Sequence, residues 1–100
     1  MLVLTRNAHE SIVINDNIFV TVLPASEGAY YQMRLGFTAP SDIPIHRKEI
    51  WDIIQQEQEL SKQFPNIPME ALKQLVYECR RGYKIDYPFL LERIKQFGTK

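Results

Sequence analysis

The chain has 100 residues, of which 45% are hydrophobic and 11% aromatic. This composition excludes a disordered chain, and the length suits one ordinary domain or a very small one that carries an appendage. Twelve basic and twelve acidic side chains leave no net charge, so overall electrostatic attraction does not indicate nucleic-acid binding.

Residues 2 to 45 are predicted to form five strands, because β-branched and aromatic residues dominate short runs between turn formers. In the third run both faces are apolar, which predicts that both are covered. Asn15-Asp16-Asn17 predicts a tight turn, and Pro44, which lacks an N–H, predicts that the last strand lies at a sheet edge. The predicted strands span residues 2–6, 11–14, 18–23, 30–37 and 43–45.

From Arg47 onward the apolar period becomes helical. The prolines at 65 and 68 predict the end of a first helix and the first turn of a second, whose C-terminal stop is expected at Gly82. Asp86 predicts the cap of a third helix, so the C-terminal half is expected to be a short helical hairpin. The predicted apolar stripe of the second helix is Met69, Leu72, Leu75, Val76 and Cys79.

The sequence has no apolar run near 18 residues, and its first residues lack the pattern of a signal peptide. We therefore expect a cytoplasmic protein with no membrane partner. It also has no glycine-rich phosphate loop, CxxC, HExxH or GxSxG motif, so we expect no enzyme, no cofactor and no metal site. The single cysteine, Cys79, is interpreted as a buried structural thiol.

Seven short motifs follow one another in the first half of the chain. They are Met1-Leu2-Val3-Leu4-Thr5-Arg6, Glu10-Ser11-Ile12, Asn15-Asp16, Val20-Thr21-Val22-Leu23, Arg34-Leu35-Gly36, Ala39-Pro40 and Ile45-His46-Arg47-Lys48-Glu49-Ile50. In order and spacing they closely resemble the carbon storage regulator family, CsrA and RsmA. The resemblance covers residues 1 to about 57, with a hairpin at residues 24–30 that is a few residues longer.

The resemblance implies a mainly β fold with α: a five-stranded protomer in a strand-swapped homodimer, followed here by about three helices. It further implies that the dimer binds mRNA or small-RNA loops with a GGA core, and so controls translation or mRNA stability. Pairing also suits strands that are apolar on both faces and too few to bury themselves. Each implied RNA-binding edge consists of Leu4, Thr5, Arg6 and Asn7 of one chain with Ile43, Ile45 and Arg47 of the other.

The residue types suit this role, since unpaired RNA loops are read by hydrogen bonds and apolar contacts along a protein edge. Arg6 and Arg47 would contact phosphate or guanine, and Leu4 and Ile45 would contact bases. The alternative is a solvated charge pair above two core residues. Packing is likewise the favoured interpretation of three aromatic residues that have the chemistry to stack on bases, Tyr30, Tyr31 and Trp51.

This chain departs from the family pattern where Asn7 replaces a second basic residue and His9 replaces a glycine. One positive charge per edge is lost, which predicts weaker and less salt-dependent RNA binding. The extension contains basic residues that either compensate or form a solvated helical face, and the second interpretation is favoured. They include Lys73, Arg80, Arg81, Lys84, Arg93 and Lys95.

The sequence is thus divided into an RNA-binding dimer core at 1–57 and a helical extension at 58–100. Three roles for the extension stay open. It enlarges the dimer or its RNA footprint, it binds a protein partner or antagonist and so modulates or replaces RNA binding, or it only adds packing to a small dimer.

Overall fold

The computed structural model describes residues 1–26 and 32–97. The chain divides into two compact units, Met1–Trp51 and Asp52–Lys100. The predicted boundary after residue 57 lies inside a continuous helix, whereas the first unit ends one turn into that helix. Among the described residues, no helix is both long enough and apolar enough to span a bilayer.

The first unit contains the five predicted strands in two small antiparallel sheets. One sheet pairs β1 with β4, and the other has the order β3-β2-β5. The bounds are β1 (Leu2–Asn7), β2 (Ser11–Ile14), β3 (Ile18–Thr21), β4 (Gln32–Phe37) and β5 (Ile45–Arg47). Prediction and structure therefore agree on the number and order of strands in this unit, while residues 30 and 31 of the predicted fourth strand lie outside the described part of the chain.

The turn between β2 and β3 has the predicted chemistry. Asn15 and Asp16 both have positive φ, at 54° and 62°. Two such residues in succession form the tight hairpin whose twist matches that of the flanking strands, and Asn and Asp tolerate this conformation better than most side chains. The prediction of a tight turn here is confirmed.

The last strand begins later than predicted, at Ile45 instead of Ile43. Ile43 belongs to a turn, because its N–H donates to the Pro40 carbonyl at 3.1 Å. Pro44 has no N–H to donate and precedes the first residue of β5. As predicted, β5 lies at the edge of its sheet.

Apolar side chains of β3 remain exposed in the single chain. Ile18 and Phe19 retain 51% and 50% of their surface, and Val20 retains 36%. The prediction that both faces of this strand are covered is therefore wrong for one chain by itself. The physical reason is that β3 has only β2 beside it among the described strands.

The second unit contains most of one helix, a hairpin and two further helices. The helices are α1 (Lys48–Gln63), α2 (Met69–Glu78) and α3 (Tyr87–Gln96). Asp86 caps α3 as predicted, since its carboxylate accepts the Phe89 N–H at 3.2 Å. The core of the unit consists of Ile53, Leu60, Ile67, Leu72, Leu75, Val76, Cys79, Leu90 and Ile94.

The helices of the predicted short helical hairpin are present, but the sequence did not predict the strands that lie between them. Helix α2 ends at Glu78, and a short β-hairpin follows it, formed by β6 (Arg80–Arg81) and β7 (Lys84–Ile85). Gly82 is not the stop of α2 but the first residue of the hairpin turn, with a φ of 62°. Glycine adopts this conformation without steric cost, and a glycine with positive φ at the first turn position is typical of a type II′ hairpin.

Candidate nucleic-acid interface

Arg6 is the most constrained of the predicted interface residues. Its side chain is buried, and the guanidinium binds the Glu49 carboxylate through two hydrogen bonds, at 2.6 and 3.0 Å. It also donates to the backbone carbonyls of Thr5 and Ser11, each at 3.1 Å. Arg6 therefore connects β1, β2 and the first turn of α1 inside the unit. It is not a solvated charge, which was the alternative interpretation of this residue.

Glu49 is the partner that the sequence did not single out. The Arg6 hydrogen bond lowers the pKa of the Glu49 carboxyl, outweighing the opposite effect of its partial burial, and the charges of Arg6 and Arg47 act in the same direction. A bidentate contact between guanidinium and carboxylate holds both groups in a fixed plane. The signal in the sequence was an acidic residue in the first helical turn, a position that the helix dipole favours for any carboxylate.

The remaining β1 residues divide between the two faces of the strand. Leu4 lies on the buried face with Arg6, whereas Thr5 and Asn7 are half-buried on the other. The Asn7 N–H donates to Glu10 Oε1 at 2.6 Å, which holds the β1–β2 turn. The side chains of Leu4 and Arg6 thus pack inside the single chain, and Thr5 and Asn7 are more accessible.

The predicted residues of the fifth-strand region lie in a different part of the unit. Ile45 and Arg47 pair with Ile14 and Ile12 of β2, and both are half-buried, as is Ile43. Ile43 and Ile45 contribute to an open cavity of about 350 Å³ that the start of β1 also lines. The full lining is Met1, Leu2, Phe37, Thr38, Ala39, Pro40, Ser41, Ile43 and Ile45.

Both predicted edge strands keep a free side in the described part of the chain. β1 pairs only with β4, and β5 pairs only with β2, so the structure does not pair β1 with β5. In an antiparallel sheet, alternate N–H and C=O groups of an edge strand point away from its neighbour and need another partner. β1 and β5 therefore each present an array of backbone donors and acceptors.

Trp51 packs within the first unit. Its ring meets Phe19 edge to face, with the centroids 5.4 Å apart, and its indole N–H donates to Asp16 Oδ1 at 3.0 Å. These contacts favour the packing interpretation of Trp51 over base stacking. Tyr30 and Tyr31 lie outside the described residues.

Comparison with known proteins identifies the family. The model of the family described as "CsrA: Global regulator protein family" matches residues 1–56. This chain belongs to the CsrA family. The match spans the strands of the first unit, Glu49 and the beginning of α1.

Several relatives with the name "Translational regulator CsrA" are similar to this chain. The relative from Clostridium botulinum is 41% identical over 75 residues, which cover 75% of this chain and 97% of the relative. Those from Exiguobacterium sibiricum and Rhodopirellula baltica are 46% identical over 74 residues and 44% identical over 59 residues. They cover 74% and 59% of this chain, and 95% and 80% of the respective relatives. No solved structure matches this chain.

Proposed function

We propose that this member of the CsrA family acts as a homodimer that binds GGA-containing loops of mRNA or small RNA in the cytoplasm. The protein is a post-transcriptional regulator, as its family membership establishes. The proposal adds that the ligand is a GGA-containing RNA loop, that the assembly is a homodimer and that specific residues contact the RNA. Through this binding the protein would control translation or mRNA stability. Its main support is that β1 and β5, the two strands of the implied edge, each keep a free backbone side.

The exposed apolar surface of the first unit supports a homodimer. Leu2, Val3 and Met33 keep 40% or more of their surface, in addition to the exposed residues of β3. A unit of about 50 residues that leaves this much apolar surface in water is marginal alone, and a second copy offers the same strands for pairing. In the proposed dimer, β1 of one protomer lies beside β5 of its partner.

Within this edge the proposed residues have different tasks. Arg47, with no carboxylate hydrogen-bonded to it in the described chain, contacts phosphate or guanine, while Thr5 and Asn7 donate to or accept from bases. Ile43 and Ile45 supply apolar contact. Leu4 and Arg6 position the edge, since their side chains hold β1 in place from the buried side.

The proposed edge has fewer positive charges than the family pattern. Asn7 is neutral, and the charge of Arg6 is compensated by Glu49. Because each phosphate that a cation neutralises steepens the salt dependence of RNA binding, we expect a shallow dependence for this protein.

The test is a gel-shift titration of the full-length protein with a GGA hairpin RNA and with the same hairpin in which CCA replaces GGA. Arg47→Ala is expected to weaken binding of the GGA hairpin by about 1–3 kcal/mol, the usual loss for a bidentate base contact. Lys62→Ala is the control, since Lys62 is an exposed cation near the end of α1, outside the proposed edge, and its removal changes the charge equally. Native mass measurement of the complex gives the number of chains.

Two results would contradict the proposal. The first is equal binding of the GGA and CCA hairpins. The alternative, in which residues 58–100 bind a protein and replace RNA binding, predicts this same result. The second is an affinity for the GGA hairpin that Arg47→Ala and Lys62→Ala reduce to the same small extent. A complex that contains a single protein chain would exclude the shared edge.

A further inference from the structure

The hairpin between α2 and α3 concentrates positive charge at one exposed tip. Residues 80–84 read Arg-Arg-Gly-Tyr-Lys, with three cations and no carboxylate. Arg81 and Lys84 are exposed and lie directly opposite each other in the register of β6 and β7. Like charges in directly opposed positions destabilise a strand pair, so this tip is not optimised for the stability of the hairpin alone.

The carboxylates that flank the hairpin in sequence are engaged elsewhere. Glu78 accepts a hydrogen bond from Arg93 at 2.6 Å and another from Gln74 at 3.0 Å. Asp86 caps α3 through the Phe89 N–H. In the described chain, no carboxylate forms an ion pair with Arg81 or Lys84. The tip therefore offers two adjacent cations to an anion from outside the chain.

One exposed aromatic residue belongs to the hairpin turn, and a second lies against Arg80 at the start of the hairpin. Tyr83 occupies the second position of the two-residue turn and keeps 54% of its surface exposed. Tyr77, at the end of α2, is 65% exposed, and the Arg80 guanidinium lies over its ring at 5.4 Å. Large aromatic side chains at this exposure bury little apolar area in the fold, whereas a flat ring next to a cation suits a nucleotide, which stacks and carries a phosphate.

We infer that the β6–β7 hairpin is a second RNA contact, in which Arg81 and Lys84 bind the phosphates of a single-stranded segment and Tyr83 stacks on one of its bases. The choice of RNA as the ligand rests on the proposed function of the first unit. The contact reads no sequence, because phosphates and ring faces are common to all nucleotides. It extends the RNA footprint beyond the GGA loop.

The decisive variant is Lys84→Glu, which places opposite charges across the hairpin. A carboxylate opposite Arg81 favours the strand pair, so the melting temperature is expected to hold or rise, while the phosphate contact is lost. Lys62→Glu is the matched control, since Lys62 is an exposed lysine of the same unit, on α1. A residue with only a structural role would not move stability and RNA affinity in opposite directions.

The probes are a GGA hairpin RNA and the same hairpin followed by a single-stranded uridine tail of about 15 nucleotides, titrated with the full-length protein. The tail is expected to strengthen binding about tenfold, the order expected for one stacked base with phosphate contacts. Lys84→Glu should abolish this gain and Lys62→Glu should keep it. Tyr83→Phe should keep it as well, whereas Tyr83→Ala should lose most of it.

The salt dependence gives an independent measurement. For the tailed RNA, the double variant Arg81→Ala with Lys84→Ala should reduce the slope of log affinity against log salt by about 1.4, since each single-strand phosphate contact contributes about 0.7. The slope for the short hairpin should not change.

The outcomes separate this inference from the proposed function. A tail that adds no affinity, or a gain that Lys84→Glu and Lys62→Glu reduce equally, overturns the hairpin contact even when GGA recognition is present. If the GGA and CCA hairpins bind equally but the gain from the tail still depends on Lys84 and Tyr83, the hairpin contact stands and the proposed function fails. Lys84-dependent binding to phosphatidylserine vesicles, with no gain from the tail, would instead assign the tip to a membrane surface.

Discussion

The two units of this chain have similar lengths but differ in how far their elements satisfy their own backbone hydrogen bonds. The second unit closes its own core, in which Leu72 and Leu90 are fully buried. The first leaves Ile18 and Phe19 half exposed and keeps free strand edges. Helices satisfy their backbone hydrogen bonds internally, whereas a strand needs a neighbour on each side. Among the described residues, the first unit therefore leaves backbone groups of β1 and β5 for the proposed second protomer to pair, whereas the helices of the second unit pair their own.

The largest expected effect tests the self-contained core of the second unit. Leu72→Ala should lower the free energy of unfolding by about 2–5 kcal/mol, since it leaves a cavity at a fully buried position. Urea denaturation followed by helical circular dichroism measures the loss. Tyr77→Ala, in the same helix but exposed, should cost at most about 1 kcal/mol through its contact with Arg80. Equal losses for the two variants would contradict the assignment of the core.

A dilution series tests the need of the first unit for a partner. Trp51, the one tryptophan of the chain, belongs to this unit and reports its unfolding by fluorescence. For a homodimer, hundredfold dilution should lower the apparent stability seen by Trp51 by about 2.7 kcal/mol, by mass action. The helical signal of the second unit should shift less. A fluorescence midpoint that does not depend on protein concentration would show that the first unit is stable as a monomer.

Glu49→Gln tests the internal contact that organises the first unit. The variant leaves the buried Arg6 guanidinium without its charged partner, and the expected loss of stability at pH 7 is about 1–3 kcal/mol. Glu59→Gln, on an exposed surface of α1, is the matched control and should cost less than about 1 kcal/mol.

The pH dependence of this loss follows from the pKa of Glu49. Because Arg6 lowers the pKa of the folded form, the carboxylate stabilises the fold above its unfolded pKa of about 4.5. This stabilisation disappears as the pH falls from there through the folded pKa. Wild type and Glu49→Gln should therefore converge in acid, and a difference that persists at low pH would exclude the ion pair as its cause.

The smallest expected effect has the opposite sign and concerns the second unit. Burial raises the pKa of the Glu57 carboxyl, although the charges of Lys73 and Arg80 oppose the shift. A raised folded pKa means that ionisation costs stability as the pH rises above about 4.5. Glu57→Gln should therefore stabilise the protein at pH 7 by less than about 1 kcal/mol and have no such effect below pH 4. A destabilised variant at pH 7 would show that Glu57 is held by its cationic neighbours instead.

Local sequence signals predicted most of the fold. The turn at Asn15-Asp16, the edge position next to Pro44 and the cap at Asp86 each depend on the chemistry of one or two residues, and each is confirmed. Gly82 was misassigned because a glycine with positive φ ends a helix and turns a hairpin equally well. The structural role of Gly82 depends on the pairing of Arg80–Arg81 with Lys84–Ile85, and local sequence patterns do not show this pairing.

The candidate site was less predictable than the fold. The resemblance named seven residues, and the structure places the side chains of two of them, Leu4 and Arg6, inside the first unit. Whether a cation faces solvent or a carboxylate depends on which distant residue the fold brings to it, here Glu49, 43 positions away in sequence. No spacing rule connects these two residues, so their ion pair could not be predicted from the sequence.

By itself the sequence determined the family, the order of the five strands and three helices, the turn at Asn15-Asp16 and the cap at Asp86, because each follows from short-range patterns. Only the tertiary structure decided that Arg6 pairs with Glu49, that β1 and β5 keep free edges, and that Arg81 and Lys84 oppose each other on a hairpin. These features depend on contacts between residues or strands that local propensity does not bring together, and their energies exist only once the chain has folded.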